Sequence, residues 1–317
     1  MSRNRIYYFI LNTNAGAGMG KNIWKSILKP ELIRCGVHYR AYLCTYAGHA
    51  TVLAKKMMAE HDGELTIVVV GGDGTFNEVL NGISDFGRVT FGFIPVGSAN
   101  DLGYGLGISG DPLQSLRRIL RCGRILHMDI GKTTFHRDGS SRYFAISSGI
   151  GLDAEACVQS YGGRIKNMLN RMHLGMLSYL LNAVRLVFVQ PLGLAKLVFT
   201  DARGRERVIK VRRLYFLAGM NQPCEGGHLM MAPAASACDG KLSFAMAYGF
   251  GRVQALLSLA LLALRRHEHI PGYEVVNARK CRIMLADNLQ VHTDGETFGS
   301  HWDITVECLP KKLQIIL

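Results

Sequence analysis

Two textures of apolar and polar positions divide this chain. Up to about residue 130, short unbroken apolar runs alternate with stretches of helical period. Ile6–Asn12, Tyr39–Thr45, Leu65–Val70 and Val89–Val96 read as strands; Lys21–Cys35 and His49–Glu60 read as helices, and a third opens within Thr75–Asn81. Asp111-Pro112 adds a helix start, with an acid to cap it and proline at the first helical position. Strands without polar alternation are buried on both faces, so this half predicts a parallel sheet covered by helices on each side. After about Asp129 the runs become shorter and turn-bounded: Ile130–Phe135, Tyr143–Ser148, Leu194–Thr200, Val208–Ala218, Lys241–Tyr248, Tyr273–Leu285 and Leu289–His292. Their period-two alternation, clear in VIKVRRLYFLAG, predicts an antiparallel sandwich with helices inserted at about 154–189 and 252–266. The boundaries expected are 1–128 for an α/β domain and 129–307 for a β-rich one. The final strand, about 308–317, fits either.

Composition narrows the class. With 48% hydrophobic residues among 317, the chain is neither disordered nor low in complexity. A net charge of +13 favours anionic company, whether phosphate, acidic membrane surface or nucleic acid. The cysteines at 35, 44, 122, 157, 224, 238, 281 and 308 form no CxxC and no zinc spacing, and read as reduced core residues of a cytoplasmic protein. The apolar run at the amino terminus is about seven residues long and flows into a glycine loop, so it reads as a strand rather than a signal. Val253–Leu264 falls short of the ~20 residues that a membrane span needs. Met168–Val189 is interrupted by Arg171, His173, Asn182 and Arg185, and both stretches read as buried or interfacial helices.

The segment with the most specific chemistry is Gly71-Gly72-Asp73-Gly74-Thr75-Phe76-Asn77-Glu78, between an aliphatic strand and a helix start. Glycines there admit a bulky anion to the backbone, and helix-start amides face it. Asp73 suits a ligand or orienter of Mg²⁺ better than a direct phosphate contact. A capping box from Thr75 to Glu78 explains those two residues but leaves Gly-Gly-Asp-Gly without a reason. Asn12-Thr13-Asn14-Ala15-Gly16-Ala17-Gly18-Met19-Gly20-Lys21 is a second glycine loop that misses both the Walker and the GxGxxG patterns. Pro95-Val96-Gly97-Ser98-Ala99-Asn100-Asp101 is either a phosphate loop or an Asx-rich turn. With Thr45 and Gly48-His49-Ala50, these loops put four carboxyl strand ends around a nucleotide-triphosphate cleft.

GGDGTFNEVLNG, the NxxAGxG loop, TxxxGHA, PxGSxND, GGHLMMAPAASACDGKL and the late TDGE resemble, in order and over nearly the whole chain, the catalytic motifs of the diacylglycerol kinase family, in its YegS-like lipid kinase branch. The resemblance implies the NAD-kinase/diacylglycerol-kinase-like two-domain fold: an N-terminal parallel α/β domain and a C-terminal antiparallel β-sandwich, with catalysis in a cleft between them. It implies an ATP- and Mg²⁺-dependent lipid kinase. ATP would be bound by Asn12, Thr13, Asn14, Ala15, Gly16, Thr45, Gly71, Gly72, Asp73, Gly74, Thr75, Phe76, Asn77 and Ser98. Glu296 would be the general base for a diacylglycerol-like hydroxyl, Asp73 and Asp101 would organise the catalytic metal, and Asp239 with carbonyls at Ser236 and Lys241 would hold a structural Mg²⁺. Thr13 stands where the family usually has proline and Ser98 where it usually has threonine; a hydroxyl survives at 98. From spacing alone Asp294-Gly295 reads as a hairpin turn, and Asp239-Gly240 is compatible with turn and metal site alike.

His267-Glu268-His269 reads as a solvated helix terminus rather than a metal site, since no third ligand stands at usual spacing. The basic run from Arg203 to Arg213 reads as a β-hairpin; without interleaved aromatics a nucleic-acid surface is not expected, and anionic lipid is the alternative. The apolar pieces at Met168–Val189 and Val253–Leu264 are candidates to line an acyl site beside ordinary core packing. The expected partners are ATP and a lipid at a membrane surface reached by peripheral contact during turnover, with a homodimer left open. An NAD kinase, a sphingoid-base kinase and a non-catalytic lipid- or nucleotide-binding regulator are the competing readings.

Overall fold

The computed structural model describes residues 5–160, 184–189, 192–267 and 270–317. They form two compact units, Met1–Met128 with Lys311–Leu317, and Asp129–Pro310.

The first unit is a parallel sheet. β1 (Tyr7–Asn12) pairs with β2 (Tyr39–Cys44) on one side and β3 (Leu65–Gly71) on the other, and β3 pairs with β4 (Val89–Pro95). The fifth strand comes from the end of the chain, where Gln314 and Ile315 pair in parallel with Thr90 and Phe91. Successive side chains of a strand point to opposite faces, which explains the unbroken aliphatic runs. Phe9, Leu11, Val68 and Val70 meet Leu28, Leu32, Leu116 and Ile119 on one face. These come from a helix built of α1 (Met19–Ile23), a π-turn at Trp24–Leu28 and α2 (Lys29–Arg34), and from a later helix at Pro112–Leu120. The other face carries α3 (His49–Glu60) and α4 (Asp73–Leu80), whose Phe76 packs against Phe91 and Phe93. Asp111 caps Pro112–Leu120 as its sequence predicts, accepting from Leu113 N at 2.8 Å.

The second unit is antiparallel. Its strands are β5 (Ile125–Phe135, whose first residues lie in the first unit), β6 (Ser141–Phe144), β7 (Ser147–Gly151), β8 (Leu194–Thr200), β9 (Glu206–Arg212), β10 (Leu214–Met220), β11 (Cys224–Glu225), β12 (Leu229–Met230), β13 (Leu242–Tyr248), β14 (Tyr273–Ala278), β15 (Lys280–Thr293) and β16 (Glu296–Ile316), which ends in the first unit. The stretch read as one strand, Val208–Ala218, is two, because Arg213 adopts a left-handed φ of 54° and breaks the ladder. β15 pairs through Lys280–Leu285 with β8 and through Val291–Thr293 with β7, with a slip of register against β16 between Met284 and Leu289. Such a slip lets one strand serve two layers. Phe199, Phe244, Ile283, Ile304 and Val306 fill the space enclosed. A second core on the outer face of β10 and β13 is covered by α5 (Leu152–Ser160), a helical segment α6 at 184–189 and α7 (Arg252–Ala263).

Two expectations are corrected here. His267 is fully buried, edge-on to Tyr273 with ring centroids 4.7 Å apart, so it does not end a solvated helix. Cys35, Cys122 and Cys238 are exposed, whereas the other five cysteines are buried. His269 and residues 161–183, which include most of the Met168–Val189 stretch, lie outside the described residues.

Candidate active site

In the first unit the loops after β1, β2, β3 and β4 leave the same edge of the parallel sheet. The chain crosses from β2 past β1 to β3, so connections turn in opposite directions at β1 and β3, which is where open α/β sheets place ligands. Asn12 Nδ2 donates to Thr75 Oγ1 at 2.9 Å, joining those two loops, and Asn12 Oδ1 accepts from Asn14 N at 3.0 Å. The β3 and β4 loops touch backbone to backbone: a Cβ on Gly97 would come within 2.5 Å of Gly72 Cα. Gly16 has φ 59°, and a Cβ there would meet the Val96 carbonyl at 2.5 Å. Three loops thus converge at glycines, where backbone packs directly on backbone.

Asp73 opens α4 but points its carboxylate at the next loop, accepting from Asp101 N (2.9 Å) and Leu102 N (3.2 Å). Asn100, in the left-handed region at φ 54°, closes that loop by exchanging two 2.9 Å hydrogen bonds with Gly97. The capping box drawn from Thr75 to Glu78 does not form. Gly72 is the N-cap and offers no side chain, while Glu78 reaches the start of α3 and accepts from Gly48 N (2.8 Å) and Ala50 N (3.1 Å). Thr45 meets His49 Nδ1 through its amide (3.1 Å) and hydroxyl (3.0 Å), and Tyr46 stacks on the same ring at 4.4 Å. Ser98 and Asn14 are exposed, and Thr13, Ala15 and Gly16 half-buried. Phe76 and Asn77 are buried, so a ligand can meet those two positions only through backbone.

In the second unit Thr293 pairs with Glu296, leaving Asp294-Gly295 as a two-residue hairpin loop with φ of 48° and 83°. Both values are left-handed, the geometry of a type I′ turn, and Asp-Gly is suited to it. Asp294 anchors the turn: its carboxylate accepts from the amides of Ala145 (2.8 Å), Ile146 (2.8 Å) and Ser147 (3.0 Å), and its own amide donates to the Ser147 carbonyl at 2.8 Å. Glu296 is thereby held, half-buried, as the first residue of β16.

A buried cluster lies under this turn. His292 Nε2 is 2.5 Å from Asp153 Oδ2, Ser147 Oγ donates to Glu225, and one ligand-type atom from each of Asp153, Glu225 and His292 lies within 4.8 Å of the other two. Burial and the neighbouring Asp153 push the Glu225 carboxyl well up. Burial also opposes ionisation of Asp153, but His292 outweighs it and holds that carboxyl low. The Gly295 amide donates to His292 Nδ1 at 3.2 Å and Nε2 faces Asp153; burial alone would lower the pKa of this imidazole, but Asp153 and the other neighbouring carboxylates push it up to about 9. One imidazole and two carboxylates also form a donor set that accepts a divalent ion.

The proposed structural metal residues share one loop. Asp239 is exposed, accepting from Lys241 N at 3.2 Å with Lys241 Nζ at 3.5 Å, and Ser236 is exposed beside it. Asp129, fully buried, accepts from Gly240 N at 2.7 Å and donates its amide to the Ala237 carbonyl, also at 2.7 Å. This fixes the loop from below.

Residues 7–133 match the model of the diacylglycerol kinase catalytic domain, and residues 153–317 that of the YegS C-terminal NAD kinase β-sandwich-like domain. The chain is a diacylglycerol kinase-like lipid kinase of the YegS branch. Relatives of this lipid kinase include the Bacillus subtilis protein YtlR, provisionally designated a lipid kinase, which is 29% identical over 93% of this chain and 94% of its own. The diacylglycerol kinase of Bacillus subtilis is 27% identical over 94% and 91%, and that of Staphylococcus carnosus 28% over 88% and 86%. A solved structure of a diacylglycerol kinase from Bacillus anthracis superposes with a TM-score of 0.72 over 100% of this chain and 97% of its own, at 19% identity, a likeness of fold. Membership makes the lipid kinase a phosphotransferase with an alcohol acceptor.

Four of this kinase's structural residues escaped the reading of its sequence. Glu78 fits a capping box by its spacing from Thr75, although its partners lie 28 and 30 residues earlier. Asp153, Glu225 and His292 stand in unrelated segments at no ligand spacing, and no local signal joins them.

Proposed function

We propose that this lipid kinase transfers the γ-phosphoryl group of ATP to the hydroxyl of a diacylglycerol-like lipid, with Glu296 as general base. The observation that carries the reading is the Asp294-anchored type I′ turn, which fixes a carboxylate at the first residue of β16. In the first unit the glycine-to-glycine contact of the β3 and β4 loops and the uncapped start of α4 fit a triphosphate, whose charge backbone amides and a helix start accommodate. Asn12 to Gly16, Thr45, the Gly71–Asn77 segment and Ser98 would hold ATP. Asp73 and Asp101 are the carboxylates suited to a magnesium ion there, which would neutralise charge between phosphates. Asp239 with carbonyls at Ser236 and Lys241 is the candidate for a structural Mg²⁺.

The step balances simply. Glu296 accepts the proton of the lipid hydroxyl, the oxygen forms a bond to the γ-phosphorus, and the bond to the bridging oxygen breaks to release ADP. A positioned base contributes about 10²–10⁴ in rate. The test is transfer of labelled phosphate from ATP to diacylglycerol in detergent micelles, with Glu296→Gln alongside. Loss of transfer within that range supports the assignment; wild-type transfer by the variant removes Glu296 from the mechanism. Phosphorylation of a soluble dinucleotide, with none of any lipid, would replace the acceptor.

A further inference from the structure

Helices usually hide their apolar side, but α7 is apolar on two sides. Ala255 and Leu262 point inward and join the core with Tyr215, Phe216 and Tyr273. On the opposite side Val253 (73% exposed), Leu257 (61%), Ala260 and Leu264 (66%) form a stripe at intervals of four, three and four residues, about 16 Å long at the helical rise. The segment α6 repeats the arrangement: Leu186 and Val187 enter the same core, while Val184, Phe188 and Val189 are exposed. Six large apolar side chains therefore face outward from two helices seated on one core. A face of this kind on a soluble molecule marks a binding surface.

The charges beside it identify the occupant. Arg185, Arg252, Arg265 and Arg266 are exposed, and neither 184–189 nor 252–266 contains an Asp or Glu. An apolar stripe with cationic flanks is the pattern of a helix lying in the boundary of an anionic bilayer. Neither helix can cross one: among the described residues no helix is long and apolar enough. A second copy of the chain fits poorly, because a two-fold contact through this face would set arginines against arginines, and neither described segment carries an acid to pair them.

We propose that the outer face of α6 and α7 docks the protein on an anionic lipid surface, seating Val253, Leu257, Leu264 and Phe188 below the headgroups and the arginines among the phosphates. The inference rests on the lipid acceptor proposed above, since that substrate resides in a bilayer. It moves the outer half of Val253–Leu264 from acyl-site lining to membrane contact.

The test is sedimentation with vesicles of phosphatidylcholine, alone or with 30 mol% phosphatidylglycerol, roughly the charge of an acidic membrane. Wild type is expected on the mixed vesicles, with binding weakened by raised salt, and little on the neutral ones. The variants V253D/L257D and R265Q/R266Q should each bind at least tenfold more weakly. Both change exposed positions, and unaltered melting temperatures will confirm folding. Activity on a dispersed short-chain diacylglycerol should stay at the wild-type level in both variants, whereas activity on vesicle-borne diacylglycerol should fall with binding. Undiminished vesicle binding by V253D/L257D overturns the proposal. So does a wild-type dimer in sedimentation equilibrium that this variant dissociates, which would make the occupant a second copy. Loss of short-chain activity in wild type itself would refute the acceptor while leaving vesicle binding to report on the docking face.

Discussion

Removing the anchor of the hairpin should separate the two oxygens of Asp294. One oxygen, Oδ1, accepts from the amides of Ile146 and Ser147, and Oδ2 accepts from Ala145. All three residues are buried, so an amide that loses its partner finds no water. Asp294→Asn keeps one acceptor and tolerates the left-handed turn, but sets an NH₂ group against one amide, at about 1–3 kcal/mol for a buried unpaired donor. Asp294→Ala strands all three donors and also loses the short polar side chain that lets Asp or Asn tolerate φ 48°, so about 3–5 kcal/mol is expected, less than the plain sum because the turn relaxes. At roughly 2–4 °C per kcal/mol for a unit of this size, Asn should lower the melting temperature by about 2–12 °C and Ala by about 6–20 °C. Thermal melts and urea titrations read the stability. Phosphate transfer from ATP, measured on the folded fraction, reads the position of Glu296. Equal and small effects of Asn and Ala, with transfer unchanged, would refute the view that this carboxylate holds the turn and through it the base.

Two further perturbations test the other sites. Glu225→Gln replaces a carboxyl whose native pKa is raised, so this group should cost the wild type stability as pH rises above the ordinary carboxylate range, by at most about 1.4 kcal/mol per unit, and the variant should show a flatter profile in urea titrations from pH 5 to 8. Parallel profiles would show that no proton is retained on Glu225, and a gain of stability on adding Zn²⁺ or Mn²⁺ to wild type alone would assign the cluster to a cation instead. Gly97→Ala drives a Cβ to 2.5 Å from Gly72 Cα, which must separate the β3 and β4 loops; a loss of about 1–3 kcal/mol and a raised KM for ATP are expected, and an unchanged KM would remove this contact from the nucleotide site.

The parallel unit was the more legible half of the sequence. Its strands are buried on both faces, so each appears as an uninterrupted aliphatic run, and helix starts such as Asp111-Pro112 carry their own chemistry within a few residues. The four loops at its carboxyl edge followed from strand order and parallel pairing alone. In the antiparallel unit the alternation located strands but not their breaks, since a reversal such as Arg213 depends on backbone conformation rather than polarity.

Residue order carried the local features: the period of each element, the caps, the glycines that permit close loops, and a motif order specific enough to point to a lipid kinase. Tertiary structure decided whatever joins distant residues. It paired Gln314 and Ile315 with β4, although KLQIIL suits either unit, and it turned Glu78 from a cap into a brace for α3. It brought His292 to Asp153 across 139 residues and sorted the apolar residues of α7 into a buried side and an exposed one. The reason is that periodicity records only which face of an element is apolar. Which surface that face meets is settled by packing between segments far apart in the chain, and such contacts leave no spacing in the sequence to read.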